Sequence, residues 1–214
     1  MIYFYSGTPG SGKSLEVAKD IVNKIKIKKQ NVIANIDINV EAISKKKNIG
    51  KFIYLDNSNF TPEFLYKYAI DNHVKGKEGQ TLLVVDEAQM LFSPTVIKIK
   101  NQENPKYRVD WLEFFTQHRH LGYNIILISQ FDRLIDAQIR CLFEYNVIHR
   151  KVNNFKLGWL FSLFGVGVFC SITYWYGVKE RVGSHFYIYR RKYSKIYDSY
   201  NKFNNVSRET MKHC

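Results

Sequence analysis

Ile2-Tyr3-Phe4-Tyr5-Ser6-Gly7-Thr8-Pro9-Gly10-Ser11-Gly12-Lys13-Ser14 opens the chain with an apolar run, a glycine-broken loop and a helix start. The run Ile2–Tyr5 has the composition of a short buried strand. Gly7, Pro9, Gly10 and Gly12 break it. Leu15, Ala18, Ile21, Val22 and Ile25 then recur at the spacing of one helix face. Between the two, Gly7 to Ser14 satisfies G-x-x-x-x-G-K-[ST] in full, in the strand-to-helix context that gives the pattern its meaning. Glycines let the main chain curl so that several N–H groups converge on phosphate oxygens. The helix N-terminus behind them adds a favourable dipole. Lys13 is placed to reach the β- and γ-phosphates, and Ser14 to offer its hydroxyl to Mg²⁺. The stretch therefore reads as a cradle for ATP and Mg²⁺ made of Gly7, Thr8, Pro9, Gly10, Ser11, Gly12, Lys13 and Ser14. A glycine-rich turn with a chance lysine would not bring both flanks with it.

Downstream, strands and helices alternate. Asn31–Ile36 reads as a second strand. Thr61-Pro62-Glu63 reads as a helix start, with Thr61 as cap and Pro62 at the first helical position, and that helix runs towards His73. Leu82–Val85 is a continuous apolar run typical of a central parallel strand. Asp110 to His118 reads as a helix ended by Gly122, Ile125–Ile128 as another apolar strand, Arg133–Phe143 as helical and Tyr145–His149 as a strand. Such alternation predicts an α/β fold, a P-loop NTPase with a mostly parallel central sheet flanked by helices. Ligands in such sheets bind at the carboxyl ends of the strands.

Two further motifs fall at those ends. Leu82-Leu83-Val84-Val85-Asp86-Glu87 closes a buried strand with two carboxylates. Asp86 is positioned to hold Mg²⁺ through water, as in a Walker B site. Glu87, one residue on, is positioned to polarise an attacking water as general base. The plainer reading of Glu87 is a cap on the turn or helix near Ala88–Leu91. Ile125–Ile128 is followed by Ser129 and Gln130, and an amide there can touch a γ-phosphate or orient water. Its plainer reading is a hydrogen-bonded loop glutamine. Arg119, Arg133 and Arg140 are candidate arginine fingers acting in trans within a homo-oligomer, each with the plainer reading of a surface arginine. Arg119 lies between His118 and His120, which lack the spacing of a zinc-binding helix. Lys13, Glu87, Gln130 and Arg119 are thus the catalytic candidates, and Ser14 and Asp86 the metal candidates.

The net charge is +13, from 32 Lys and Arg against 19 Asp and Glu. Lys24, Lys26, Lys28, Lys29 and Lys45–Lys47 form one basic region, and Arg190, Arg191, Lys192 and Lys195 another. Such surfaces attract nucleic acid or anionic lipid, or are solvated lysine-rich faces. The three cysteines form no CxxC pair, which excludes a disulfide framework or zinc site of the usual kind and predicts a reducing compartment. Met1–Ser6 runs straight into the glycine loop, so no secretory signal is expected.

Leu157–Val178 carries no charge. It is long enough to span a bilayer as a helix, with Trp159, Tyr174, Trp175 and Tyr176 near its ends. It is also rich in strand formers around Gly165 and Gly167, which suits a hairpin of two buried strands turning near Gly165. A span would export the basic stretch Arg181–Lys195, against the positive-inside tendency. Both readings stand at this point. The organisation expected is 1–156 as a P-loop NTPase core, 157–178 as a hydrophobic β-hairpin or transmembrane segment, and 179–214 as a basic C-terminal segment.

The ordered set of Gly7–Ser14, Asn35, Asp86-Glu87-Ala88-Gln89, Arg119-His120-Leu121-Gly122, Ile125–Gln130, Tyr189-Arg190-Arg191-Lys192 and Tyr197-Asp198-Ser199-Tyr200 resembles the zonular occludens toxin (Zot) domain family. That family includes the gene I assembly proteins of filamentous phages. The resemblance covers roughly residues 1–203, with Ser129-Gln130 where the family usually has Thr-Gln. It implies a P-loop ATPase related to the FtsK/HerA motors. It implies a phage- or prophage-encoded protein at the cytoplasmic face of the bacterial inner membrane, peripheral or single-span. The partners it implies are phage coat or assembly proteins, single-stranded DNA and inner membrane lipid. The toxin activity of some members lies in a separate C-terminal region, and is not expected of a chain ending at Cys214. A nucleotide-binding interaction or virulence-type adaptor without turnover is the alternative. A nucleotide kinase is the second alternative, weakened by the second acid Glu87.

Overall fold

The computed structural model describes residues 1–36, 38–39, 49–152, 167–190, 193 and 196. Along the chain run β1 (Ile2–Ser6), α1 (Lys13–Val22), β2 (Asn31–Ala34), β3 (Phe52–Tyr54), α2 (Pro62–Asn72), β4 (Thr81–Val85), α3 (Gln89–Phe92), α4 (Pro94–Glu103), α5 (Tyr107–Gln117), β5 (Tyr123–Ile128), α6 (Ala137–Arg140), β6 (Tyr145–Lys151), β7 (Val168–Trp175) and β8 (Arg181–Ile188). The strands form one eight-stranded sheet in the order β3-β2-β4-β5-β1-β6-β7-β8. Every pairing from β3 through to β6 is parallel. The β6–β7 and β7–β8 pairings are antiparallel.

Apolar runs such as Leu82-Leu83-Val84-Val85 fit the centre of this sheet because successive side chains point to opposite faces, and both faces are covered. Leu83 and Val85 join a core with Ile125, Leu127, Leu65, Phe92, Trp111 and Phe115 on the α2–α6 side. Leu82 and Val84 join the other, with Val17, Ile21 and Ile25 of α1 and its π-helical continuation Asn23–Ile27. Thr61 caps α2 as its sequence predicts, its side chain accepting from the Phe64 N–H, with Pro62 at the first turn. Gly122 ends the α5 region in the left-handed conformation (φ 85°), its N–H donated to the Arg119 carbonyl over 2.9 Å.

Three expectations change. Arg133–Phe143 is not one helix. Ile135 is extended (φ −98°, ψ 143°) between a short 3₁₀ turn, Asp132–Leu134, and the brief α6. Asp136 starts α6 anew by accepting from the Gln138 N–H, and Arg108 holds it at 3.2 Å. The stretch Leu157–Val178 is not a membrane helix, since Val168–Trp175 is a strand hydrogen-bonded on both sides. Among the described residues no helix is long and apolar enough to cross a membrane. The partners of that strand also differ from the expected hairpin. Its neighbours are β6 and the basic stretch β8, reached by a turn after Trp175, while Gly165 and Leu157 lie outside the described residues. The apolar and basic C-terminal stretches therefore extend the same sheet as the loop-bearing core.

Candidate functional site

The loop Gly7–Ser14 leaves the carboxyl end of β1 and enters α1. Gly7, Gly10 and Gly12 have φ of 140°, 73° and 96°, a region L side chains rarely adopt, so the curl the motif needs is built from the glycines. Two close approaches reinforce the requirement. A Cβ on Gly7 would stand 2.6 Å from the His149 carbonyl oxygen, and one on Gly12 2.6 Å from the Phe169 ring. Lys13 Nζ donates to the carbonyls of Gly7 at 2.5 Å and Thr8 at 3.2 Å, bent back over the loop. Burial draws the Lys13 pKa down, against the raising fields of Glu87 and Asp86. Those two carboxylates thus sit close enough to feel the loop ammonium.

Asp86 and Glu87 follow β4 directly. Asn35, at the end of β2, clamps that tip. Its Oδ1 accepts from the Asp86 N–H at 2.6 Å and its Nδ2 donates to the Asp86 carbonyl at 2.9 Å. Glu87 has φ 48°, a left-handed value costing a non-glycine residue about 1 kcal/mol or more. Its exposed carboxylate is held by Gln89, whose Nε2 donates to Glu87 Oε2. Ser129 Oγ in turn donates to Gln89 Oε1 at 2.7 Å. The hydroxyl at the end of β5 therefore orients an amide that orients the acid. Sequence reading gave Ser129 and Gln89 no role in the chemistry. The signal lay in two amide or hydroxyl side chains, each beside a motif residue at the end of a neighbouring strand.

Gln130 joins these groups through its backbone, its carbonyl accepting from the Gly7 N–H at 3.2 Å. It also lines a cleft of about 470 Å³ with Ser6, Gly7, Thr8, Asp132 and Asn146. Arg119 does not join them. It lies before β5, at the opposite end of a six-residue strand, roughly 20 Å along the chain from the loop side. There it pairs with Glu144, to which the Met1 ammonium also comes within 3.7 Å. Burial pulls the neighbouring His118 down to about 4, so at neutral pH that ring adds no charge to the cluster. Within one chain Arg119 is a fastening of the sheet's amino end.

A brace under the loop also went unread in the sequence. His149 Nε2 stands 2.8 Å from Glu16 Oε2, and its Nδ1 lies 3.1 Å from the Ser6 carbonyl. Ser171 Oγ donates to Glu16 Oε1 at 3.1 Å. Burial pushes the Glu16 carboxyl up, and the bonds from His149 and Ser171 outweigh it, leaving it below the usual glutamate value. From β8, Tyr187 Oη donates to the Gly12 carbonyl at 3.1 Å. Strand before, helix after and glycine within the loop are each tied to β6, β7 or β8. These pairings bridge more than a hundred residues of sequence, and no local spacing announces them.

Mg²⁺ is tested by the donors available. Among the described residues no cluster of three His, Cys, Asp or Glu side chains could hold a metal by itself. Mg²⁺ keeps several waters and takes one or two protein oxygens beside substrate phosphates, so the hydroxyl of Ser14 and the carboxylate of Asp86 suit it.

A family model described as zonular occludens toxin (Zot) matches residues 1–161. The gene 1 protein of Enterobacteria phage f1 is 26% identical over 170 residues, covering 77% of this chain and 46% of that protein. The gene 1 protein of Enterobacteria phage M13 matches to the same extent. The chain thus spans about half the length of these relatives. Among solved structures, the N-terminal domain of zonular occludens toxin from Neisseria meningitidis shares the fold with a TM-score of 0.52 at 17% identity, over 92% of this chain and 98% of that one. A solved ATPase domain of a second protein does so with a TM-score of 0.56 at 10% identity, over 92% of this chain and 84% of that one. The family model covers most of the chain, and the protein belongs to the zonular occludens toxin (Zot) family.

Proposed function

We propose that this chain binds ATP with Mg²⁺ in the loop Gly7–Ser14 and hydrolyses it, as a motor supporting filamentous phage assembly and extrusion. The observation that carries this reading is the convergence, at the carboxyl ends of the central strands β1, β4 and β5, of the Lys13 ammonium, the Asp86 and Glu87 carboxylates and the Ser129–Gln89 relay. Lys13 would leave the Gly7 and Thr8 carbonyls for the β- and γ-phosphates. Ser14 and Asp86 would hold Mg²⁺, which supplies charge neutralisation at the phosphates. Glu87, oriented by Gln89, would take a proton from water, and the Gln130 amide would steady that water or the γ-phosphate. The gene 1 proteins of phages f1 and M13 support a phage setting; within it the chain would work at the cytoplasmic face of an inner membrane, with phage coat or assembly proteins, single-stranded DNA and lipid as partners. A homo-oligomer would let an arginine of one subunit complete the site of the next.

Glu87→Gln tests this. The variant should bind Mg-ATP as the wild type does in calorimetry and release phosphate roughly 10²- to 10⁴-fold more slowly. Wild-type protein that binds ATP without releasing phosphate would make the chain a nucleotide-dependent adaptor. Absence of Mg-dependent ATP affinity would remove the reading altogether.

A further inference from the structure

The Gln130 carbonyl accepts from the Gly7 N–H, which puts this candidate γ-phosphate residue at the start of the phosphate loop and the terminal phosphate on that side. The rest of the nucleotide must then leave towards α1, where the loop ends. A groove of about 270 Å³ begins there, between α1 and β8 and the residues after it, lined by Leu15, Lys19, His185, Tyr187, Arg190 and Tyr193. Leu15 directly follows Ser14, and Lys19 is one helical turn further on the same face. The β8 wall is fastened to the loop itself, since Tyr187 donates to the Gly12 carbonyl and its ring stacks on Phe169 at 5.6 Å. The His185 ring lies 6.1 Å from that of Tyr187, tilted by 30°, and Lys19 Nζ is 2.8 Å from His185 Nε2.

We infer that this groove receives the base and ribose of the nucleotide whose phosphates the loop holds. The inference rests on the ATP-binding reading and adds where affinity for the nucleoside comes from. Aromatic faces stack on any base, and a few polar groups among them fix its orientation. His185 and Tyr193 supply the faces, with the buried Tyr187 as the wall behind them; Lys19 and Arg190 supply donors for ring nitrogens and ribose hydroxyls. Typical ligand clefts run from roughly 300 to 1,000 Å³, so a groove slightly smaller suits the nucleoside end alone, with the phosphates outside it on the loop. The hairpin that braces the loop would then also carry the selectivity, which the Gly7–Ser14 motif cannot supply because it meets only phosphate.

Calorimetry with Mg-ATP and with Mg-tripolyphosphate, which has no nucleoside, separates the two readings. His185→Ala and Tyr193→Ala should each weaken ATP binding by roughly five- to hundredfold, the range for losing one stacking partner. Tripolyphosphate binding should stay within about twofold of wild type in both. ATP affinity unchanged in both variants would overturn the groove, and so would tripolyphosphate affinity falling in parallel with ATP. Lys13→Ala should abolish both ligands; if neither ligand binds even the wild type, the phosphate-loop reading fails instead. In unaltered protein, photolabelling with 8-azido-ATP should mark residues 185–193, and label confined to other peptides would overturn the inference.

Discussion

At the residue scale, the acid pair depends on its neighbours as much as on its own position. Glu87 is exposed, and what aims its carboxylate is the Gln89 amide, itself aimed by Ser129. Gln89→Ala should therefore leave ATP affinity alone and lower the phosphate-release rate about tenfold or more, short of the loss in Glu87→Gln, in a steady-state assay. Asp20 offers a second test. Burial pushes its carboxyl up to about 6, against the hydrogen bond it accepts from Tyr5 at 2.9 Å. An unfolded aspartate titrates near about 4. The folded state then holds the proton to higher pH, and stability falls as pH rises from about 4 to about 6, remaining reduced above that. Asp20→Asn keeps an acceptor for Tyr5 and removes the titration. It should be about 1–3 kcal/mol more stable than wild type at pH 7.5 and close to it near pH 4, in melting curves against pH.

At the element scale, α1 is positioned from behind. The Glu16–His149 contact joins its first turn to β6, and Ser171 adds β7. Removing one member of a buried pair leaves the other unmatched, at a cost of about 3–5 kcal/mol. His149→Gln should lower the melting temperature by roughly 10 °C and weaken Mg-ATP binding as the helix start loosens. Glu16→Gln combined with His149→Gln should recover part of that loss, and strictly additive effects would argue against direct coupling. Elements whose cause is local were readable in the chain. Thr61-Pro62 announces α2, where the Thr61 side chain does cap the first turn, and Leu82–Val85 announces β4. β3, at three residues, is too short to show a period; α3 was marked only as a turn or helix near Ala88–Leu91, and α4 lay unread between it and Asp110. Arg133–Phe143 misled because apolar spacing survives across the extended Ile135.

At the scale of the whole molecule, most strands of the parallel part were readable in the sequence, and the pairing of the antiparallel part was not. Apolar runs before Gly7, Asp86 and Ser129 marked three strands with motifs at their carboxyl ends, and the sheet sets these strands side by side. Val168–Trp175 lies in the stretch Leu157–Val178, whose letters suit a buried strand and a membrane helix alike. Its partner is chosen by register with Tyr145–Lys151, a property of distant residues. Assembly belongs to this scale too. Arg119 is committed to Glu144, whereas Arg133 is exposed just beyond Gln130 on the loop side of the sheet. If subunits complete one another's sites, phosphate release per molecule should rise with protein concentration across the range where light scattering reports association. Arg133→Ala should then lower that plateau, while Arg119→Ala should instead lower the melting temperature.

The left-handed backbone at Glu87 sets stability against chemistry at one position. A glycine or asparagine would rest there more comfortably than a glutamate. Laboratory evolution that rewarded heat resistance alone would drift this codon towards those residues and silently discard turnover. Lineages under pressure to keep the reaction would keep the awkward torsion, so a library sorted by both criteria should split at this site.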